Sequence, residues 1–148
     1  MSRCAFVAAV VLALLCEARA ALWQSRSQID AAYGRPVRRC EDPPGNVFWL
    51  YRHRGMDVLV TFVRGRSHRE IFYRARSQPL RTREVQSLLR VNSAGDVWHP
   101  YETDRQWMLG RADRALAQYD ADDNSVVFYT SEYMKRPSLV PSVEGKNR

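Results

Sequence analysis

The sequence predicts an α+β fold: tandem α-β-β-β units that form an antiparallel sheet with two helices on one face. Three observations predict it. Two short amphipathic helical segments each precede a series of short β-rich runs, the runs are joined by tight turns instead of the long crossovers that parallel strands need, and residues of matching class recur at a near-constant spacing.

The first helix is signalled at both ends. Ser25 and Gln28 have capping-box spacing, Ile29, Ala32 and Tyr33 line one face, and Gly34 followed by Pro36 stops it. A turn-rich loop at 41–46 leads to an aromatic and β-branched strand at 47–51. Arg54 and Gly55 turn the chain into a second strand, 58–63, which carries apolar residues on both faces: Val58, Val60 and Phe62 on one, Leu59 and Val63 on the other. A polar turn at 64–67 precedes a third strand at 71–73.

The same order then begins again. Thr82 is the expected N-cap of a second helix with Val85, Leu88 and Leu89 on one face, ending near Asn92 and Gly95. Short strands are expected at 98–102, 106–109, 116–119 and 126–130, the last two joined by the turn at 120–124. Ile29, Ala32 and Tyr33 map onto Val85, Leu88 and Leu89; Val58, Val60 and Phe62 onto Ala115, Ala117 and Tyr119; Ile71, Phe72 and Tyr73 onto Val127, Phe128 and Tyr129, always at an offset of 56 or 57 residues. The expected units are 25–76 and 80–134 within a single domain spanning 21–136, followed by a flexible tail at 137–148. One short helix cannot cover a three-stranded sheet by itself, so the two units are expected to share one core, with the other face of the sheet partly open to solvent.

Residues 1–20 read as a cleavable secretory signal, with Arg3 at the start, an apolar run at 5–16, and small residues at Ala18 and Ala20. A membrane-spanning helix needs about 20 apolar residues, more than this run supplies. Lipidation at Cys16 is the alternative, and Leu15 before it is too large for such a site. Cys4 and Cys16 fall in the leader, which leaves Cys40 alone in the mature chain and excludes an internal disulfide framework or a zinc ribbon. The expected location is periplasmic or secreted, with no stable membrane insertion after cleavage.

The formal charge of +7 is unevenly spread. Thirteen arginines face five acids between Arg35 and Arg90, whereas seven basic residues face nine acids from Val91 onward. Such asymmetry marks a surface for polyanions, complementary faces, or simply a preference for arginine, since Lys135 and Lys146 are the two lysines of the chain.

The order of helix, Gly34-Arg35-Pro36 stop, aromatic strand with Phe48, Trp49 and Tyr51, and apolar strand ending in Gly65 resembles the repeat unit of β-lactamase inhibitor proteins and SmpA/OmlA-type outer-membrane assembly lipoproteins. The resemblance implies an exported domain that acts by holding another macromolecule. The chain departs from the lipoprotein branch in lacking an acceptable lipidation site and from the inhibitor branch in lacking paired cysteines in each repeat.

No residue cluster reaches the specificity of a catalytic or metal motif. His53, His68 and His99 have no metal-ligand spacing, and Asp120, Asp122 and Asn124 imitate a calcium loop without its glycine and closing glutamate. Glu102 and Asp104 form an acid pair with nothing to place them in a cleft, and there is neither a glycine-rich phosphate cradle nor a G-x-S-x-G elbow. No cofactor or metal is expected. The candidate binding residues are Arg38, Arg39, Arg52, Arg54, Arg66, Arg69 and Arg74 with the interleaved Trp49 and Tyr51, because guanidinium groups bind carboxylate and phosphate in bidentate fashion and stack on rings. The expectation is a non-enzymatic, exported interaction domain whose partner is a protein or an acidic envelope polymer. Export removes most nucleic-acid ligands. The alternative is a thiol-dependent enzyme or redox protein using Cys40, whose thiolate the adjacent Arg38 and Arg39 would favour, or a thiol that joins two chains.

Overall fold

The computed structural model describes residues 22–41, 47–101, 108–110 and 114–135. The leader at 1–20, the tail at 137–148 and the pair Glu102 and Asp104 lie outside them. The described elements are α1 (Arg26–Tyr33), β1 (Arg38–Glu41), β2 (Val47–His53), β3 (Met56–Val63), β4 (Arg66–Tyr73), a 3-10 turn (Ala75–Ser77), α2 (Thr82–Asn92), β5 (His99–Tyr101), β6 (Met108–Gly110), β7 (Ala115–Asp120), β8 (Ser125–Thr130) and α3 (Ser131–Met134). All strand pairs are antiparallel, in the order β1-β2-β3-β4-β8-β7-β6-β5, and six of these strands have four residues or more.

The first helix forms as its sequence dictates. Ser25 Oγ accepts from the Gln28 N–H at 3.3 Å and Gln28 Oε1 accepts from the Ser25 N–H at 2.8 Å, so two donors left over at the helix start are satisfied reciprocally. Gly34, at φ +88°, ends the helix and donates to the Asp30 carbonyl at 2.9 Å. In α2 the cap falls one residue earlier than expected: Thr82 is the first helical residue, and the Glu84 carboxylate accepts from the Arg81 N–H at 2.7 Å.

Four strands, not three, follow α1. The additional strand is β1, whose Arg-Arg-Cys-Glu sequence has no apolar alternation because three of its four residues are exposed at the sheet edge. β4 begins at Arg66, well before the expected 71, because the turn is confined to Arg64 and Gly65, both at positive φ. That turn has the backbone sign of a tight two-residue hairpin, as do Arg54 and Gly55 between β2 and β3. The polar run Ser67, His68 and Glu70 hid the strand from hydrophobic patterning, yet all three residues are buried in the middle of the sheet.

Both α1 and α2 lie on one face of the sheet. Ile29 and Tyr33 from α1 and Leu88 from α2 join Tyr51, Val58, Val60, Phe72, Ala115, Ala117, Val126 and Phe128 in a single apolar cluster. Phe72 and Phe128 meet edge-on at 5.7 Å where β4 and β8 run side by side, and Trp98 tilts against Phe128 at 5.8 Å. Burying a side chain of this size contributes about 1.5–3 kcal/mol. On the opposite face, α3 places Tyr133 against Leu116, Tyr129 and Val127 at one end of the sheet.

Candidate functional site

The face turned away from α1 and α2 is built from three cross-strand rows, each fixed by register. Arg52, Asp57, Tyr73, Ser125 and Asp120 form the first. Arg38, Leu50, Leu59, Ile71, Val127 and Gln118 form the second, and Cys40, Phe48, Thr61, Arg69, Tyr129 and Leu116 the third. Because successive side chains of a strand alternate between faces, the register alone puts these residues together. Phe48, Leu50, Leu59, Ile71, Tyr73 and Val127 are half-buried, so an apolar strip runs across the middle of this face.

Three arginines stand on the same face. Arg38, on the edge strand, donates from Nε to the Cys40 sulfur at 3.3 Å. Arg52 bonds Asp57 at 3.0 Å, and Arg69 donates to the Tyr133 hydroxyl at 3.3 Å while its guanidinium lies 5.6 Å from that ring. Tyr73 lies among Asp57, Cys40, Arg38 and Arg52: burial and the negative charge of Asp57 push its phenol up, and the two arginines pull it down. The basic end of the face lies at β1 and β2, and Asp120 marks the far end of the first row.

The remaining sequence-predicted residues lie elsewhere. Arg39, Trp49 and Tyr51 are on the helix-bearing face, where the Arg26 guanidinium stacks 3.6 Å from the Trp49 ring and Tyr51, fully buried, donates to Asp30 at 2.7 Å. Arg54 is in the β2–β3 turn, Arg66 donates to the Trp23 carbonyl at 3.4 Å, and Arg74 is ion-paired with Glu84 at 2.7 Å. The arginines therefore divide between both faces and the turns, and Arg38, Arg52 and Arg69 are those the fold brings onto the open face. Leu59, Ile71 and Tyr73 belong beside them, and the alternation of 56–63 and 66–73 is the signal that finds them.

The helix-bearing face holds a buried acid that the sequence reading passed over. Glu70 is fully buried in β4, between Val60 of β3 and Phe128 of β8. Tyr33 donates to its Oε2 at 2.7 Å, and Oε1 has no hydrogen-bond partner among the described residues. Burial pushes the Glu70 carboxyl up to about 7, against the opposing pull of the Tyr33 hydroxyl. Tyr33 is itself held well above the ordinary phenol value by burial and by Glu70, and its ring meets that of His53 edge-on at 5.3 Å. Burial and Arg54 together lower His53.

The sheet separates His53 and His68 from Cys40, whereas His99 shares the cross-strand row of Cys40 at the far edge. His53 and His68 are on the helix-bearing face, where His68 Nδ1 lies 2.8 Å from Thr130 Oγ1, and His99 is in β5, at the edge opposite β1. Among the described residues no three His, Cys, Asp or Glu side chains converge as metal ligands. Asp120 instead closes a hairpin turn, accepting from the N–H groups of Asp122 at 3.0 Å and Asp123 at 3.2 Å. No described helix is long and apolar enough to cross a membrane.

No family model matches the chain, and no curated protein does. A solved structure that matches is that of an extracellular protein containing a SCP domain from Bacillus anthracis str. Ames, with a TM-score of 0.47 and 11% identity over 78% of this chain and 46% of that one. The chain thus spans less than half the length of that protein. The resemblance to the β-lactamase inhibitor and SmpA/OmlA repeat is withdrawn, since no family model matches the chain and the solved structure that does match is described as neither. The residues that carried that resemblance describe a three-strand unit, whereas β1 makes four strands after α1.

Proposed function

We propose that the chain works outside the cytosol as a non-enzymatic interaction domain, and that the open face of its sheet is the contact surface. The observation that carries this reading is the half-buried strip Leu50, Leu59, Ile71 and Val127 flanked on one face by Arg38, Arg52 and Arg69. An apolar centre with a charged margin is the composition of protein contact surfaces, in which desolvated apolar groups supply affinity and charges set orientation and encounter rate. The strip favours an acidic protein over an acidic glycan, because a glycan has little to set against Leu59 and Ile71.

The test is recovery of a partner from an envelope or secreted extract by the mature protein in the presence of a crosslinker. Recovery should fall as salt rises, and should be lost in the double variant Arg38→Glu with Arg52→Glu but kept in Arg83→Glu, which alters an exposed position on α2. Equal recovery by all three proteins would overturn the assignment of this face.

The two halves are also read as copies of one unit. In support, Ile71 stands directly opposite Val127, its counterpart at an offset of 56 residues. A local two-fold axis between β4 and β8 would account for that pairing. The helices fit less well, since the buried positions are Ile29 and Tyr33 in α1 but Leu88 and Asn92 in α2, an offset of 59.

A thiol-dependent enzyme remains the second reading, favoured by the contact between Arg38 Nε and Cys40 Sγ. The alkylation rate of Cys40 as a function of pH separates the two. An ordinary thiol value of about 8.5 removes the reason for it.

A further inference from the structure

We propose that β1 is a self-complementary edge through which two copies of this chain pair, antiparallel, about a two-fold axis at Cys40. β1 is a terminal strand of the sheet: one side is bonded to β2, and no described strand covers the other. Three of its four residues are exposed. A bare strand edge presents backbone N–H and C=O groups that pair with another strand unless something opposes it.

Charge of a single sign along the edge would oppose it, but here the sign reverses about the centre. Arg39 and Glu41 flank Cys40, and the sequence continues the pattern outward with Arg38 on one side and Asp42 on the other. When two antiparallel copies are centred on Cys40, Arg39 of each stands opposite Glu41 of the other. The register is selective. A shift of the centre to Arg39 opposes Arg39 to its own copy, and a shift to Glu41 opposes two carboxylates, each a repulsive cross-strand pair. A centre between residues turns one sheet over, so that the helix-bearing face of one copy adjoins the open face of the other. Among the registers that keep matching faces together, the one on Cys40 is the one in which opposite charges meet.

The side chains are already placed for this. Arg39 Nη2 lies 3.3 Å from Glu41 Oε2 within the chain, so both charged groups are on the same face of β1, about half exposed. A second copy would set this pair against its inverse, so that each arginine faces a glutamate across the seam. Cys40 points to the other face, in the row with Phe48. Directly opposed residues of antiparallel strands have Cα atoms about 4.5–5.5 Å apart, which puts the two thiols within reach of a single short crosslinker. The pairing would join the two open faces into one surface of double width, with Arg38 and Cys40 at its centre.

The test uses sedimentation velocity of the mature protein over a wide concentration series, with Arg39→Glu, Glu41→Arg and the double exchange. Reversible dimerisation is expected for the unaltered chain. Each single variant should weaken it about tenfold, because two attractive pairs become repulsive, and the double exchange should restore it. A short bismaleimide should then link Cys40 to Cys40 in the unaltered chain and in the double exchange, and Cys40→Ser should still dimerise. A protein that is monomeric throughout the series, or a dimer that neither single variant weakens, overturns the proposal. Both altered positions are exposed, so the thermal midpoint of each variant, measured in dilute solution, controls for folding. Neither belongs to the open face, and Arg52→Glu alone alters that face without touching β1, so partner capture and self-association are read by separate variants.

Discussion

The Tyr33 hydroxyl donates a 2.7 Å hydrogen bond to the Glu70 carboxylate, joining α1 to the centre of the sheet through a buried polar contact. Leaving one carboxyl oxygen unpartnered in this position is expensive when the group is charged and much less so when it is protonated.

Stability should therefore fall as pH rises. The folded-state value of Glu70, about 7, lies above the ordinary 4.5, so the stabilising neutral form is fully retained in both states below 4.5. Between 4.5 and 7 the unfolded chain ionises while the folded chain stays protonated, and above 7 the loss reaches about 3 kcal/mol. Glu70→Gln should remove this decline. Denaturant unfolding of both proteins from about pH 4 to pH 8 checks it: parallel stability curves would refute the assignment.

Tyr33→Phe should act on the same group from the other side. It removes the hydrogen bond that the Glu70 carboxyl accepts and should destabilise the protein by about 1–3 kcal/mol. Because that bond pulls the Glu70 value down, its loss should also extend the decline in stability to higher pH. A merely structural tyrosine would alter stability without moving the pH profile.

The α1 caps should be separable from the core. Ser25→Ala removes the acceptor for the Gln28 N–H and should lower stability by about 1 kcal/mol. Gly34→Ala forces a side chain into positive φ and should lower it by a similar amount, about 1 kcal/mol, although the space around the position is open. Thermal unfolding of each variant measures both effects.

Phe128→Ala should be far more damaging. Its ring lies under Phe72 and Trp98 where the halves of the sheet meet, and a cavity there should cost about 3–5 kcal/mol. If chemical denaturation gave a loss below about 1 kcal/mol, Phe128 would not be a core residue.

Much of this architecture was legible because it follows from local chemistry. Ser25 with Gln28, Gly34, and the alternation of Val58 and Val60 act within a few residues, and α1, α2 and β3 emerged from them. β1 and the first half of β4 did not, for opposite reasons. Arg38, Arg39 and Glu41 are polar because the edge is exposed, whereas Ser67, His68 and Glu70 are polar yet buried, and composition cannot tell these cases apart. The open face was foreseen only as a face. Which arginines share it depends on register, and register placed Arg38, Arg52 and Arg69 together while sending Arg39, Trp49 and Tyr51 to the other side.

The bond between β4 and β8 also dictates when the molecule can finish folding. The five β4 residues from Arg69 to Tyr73 each wait for a partner more than fifty positions further along, as Phe72 does for Val126. A ribosome or a translocation channel delivers the chain from its N-terminus, so the first half emerges with β4 bare and remains so until the final strand arrives. A chain cut before Ser125 should consequently precipitate instead of folding, since its longest unsatisfied edge would lie in the middle of the intended sheet.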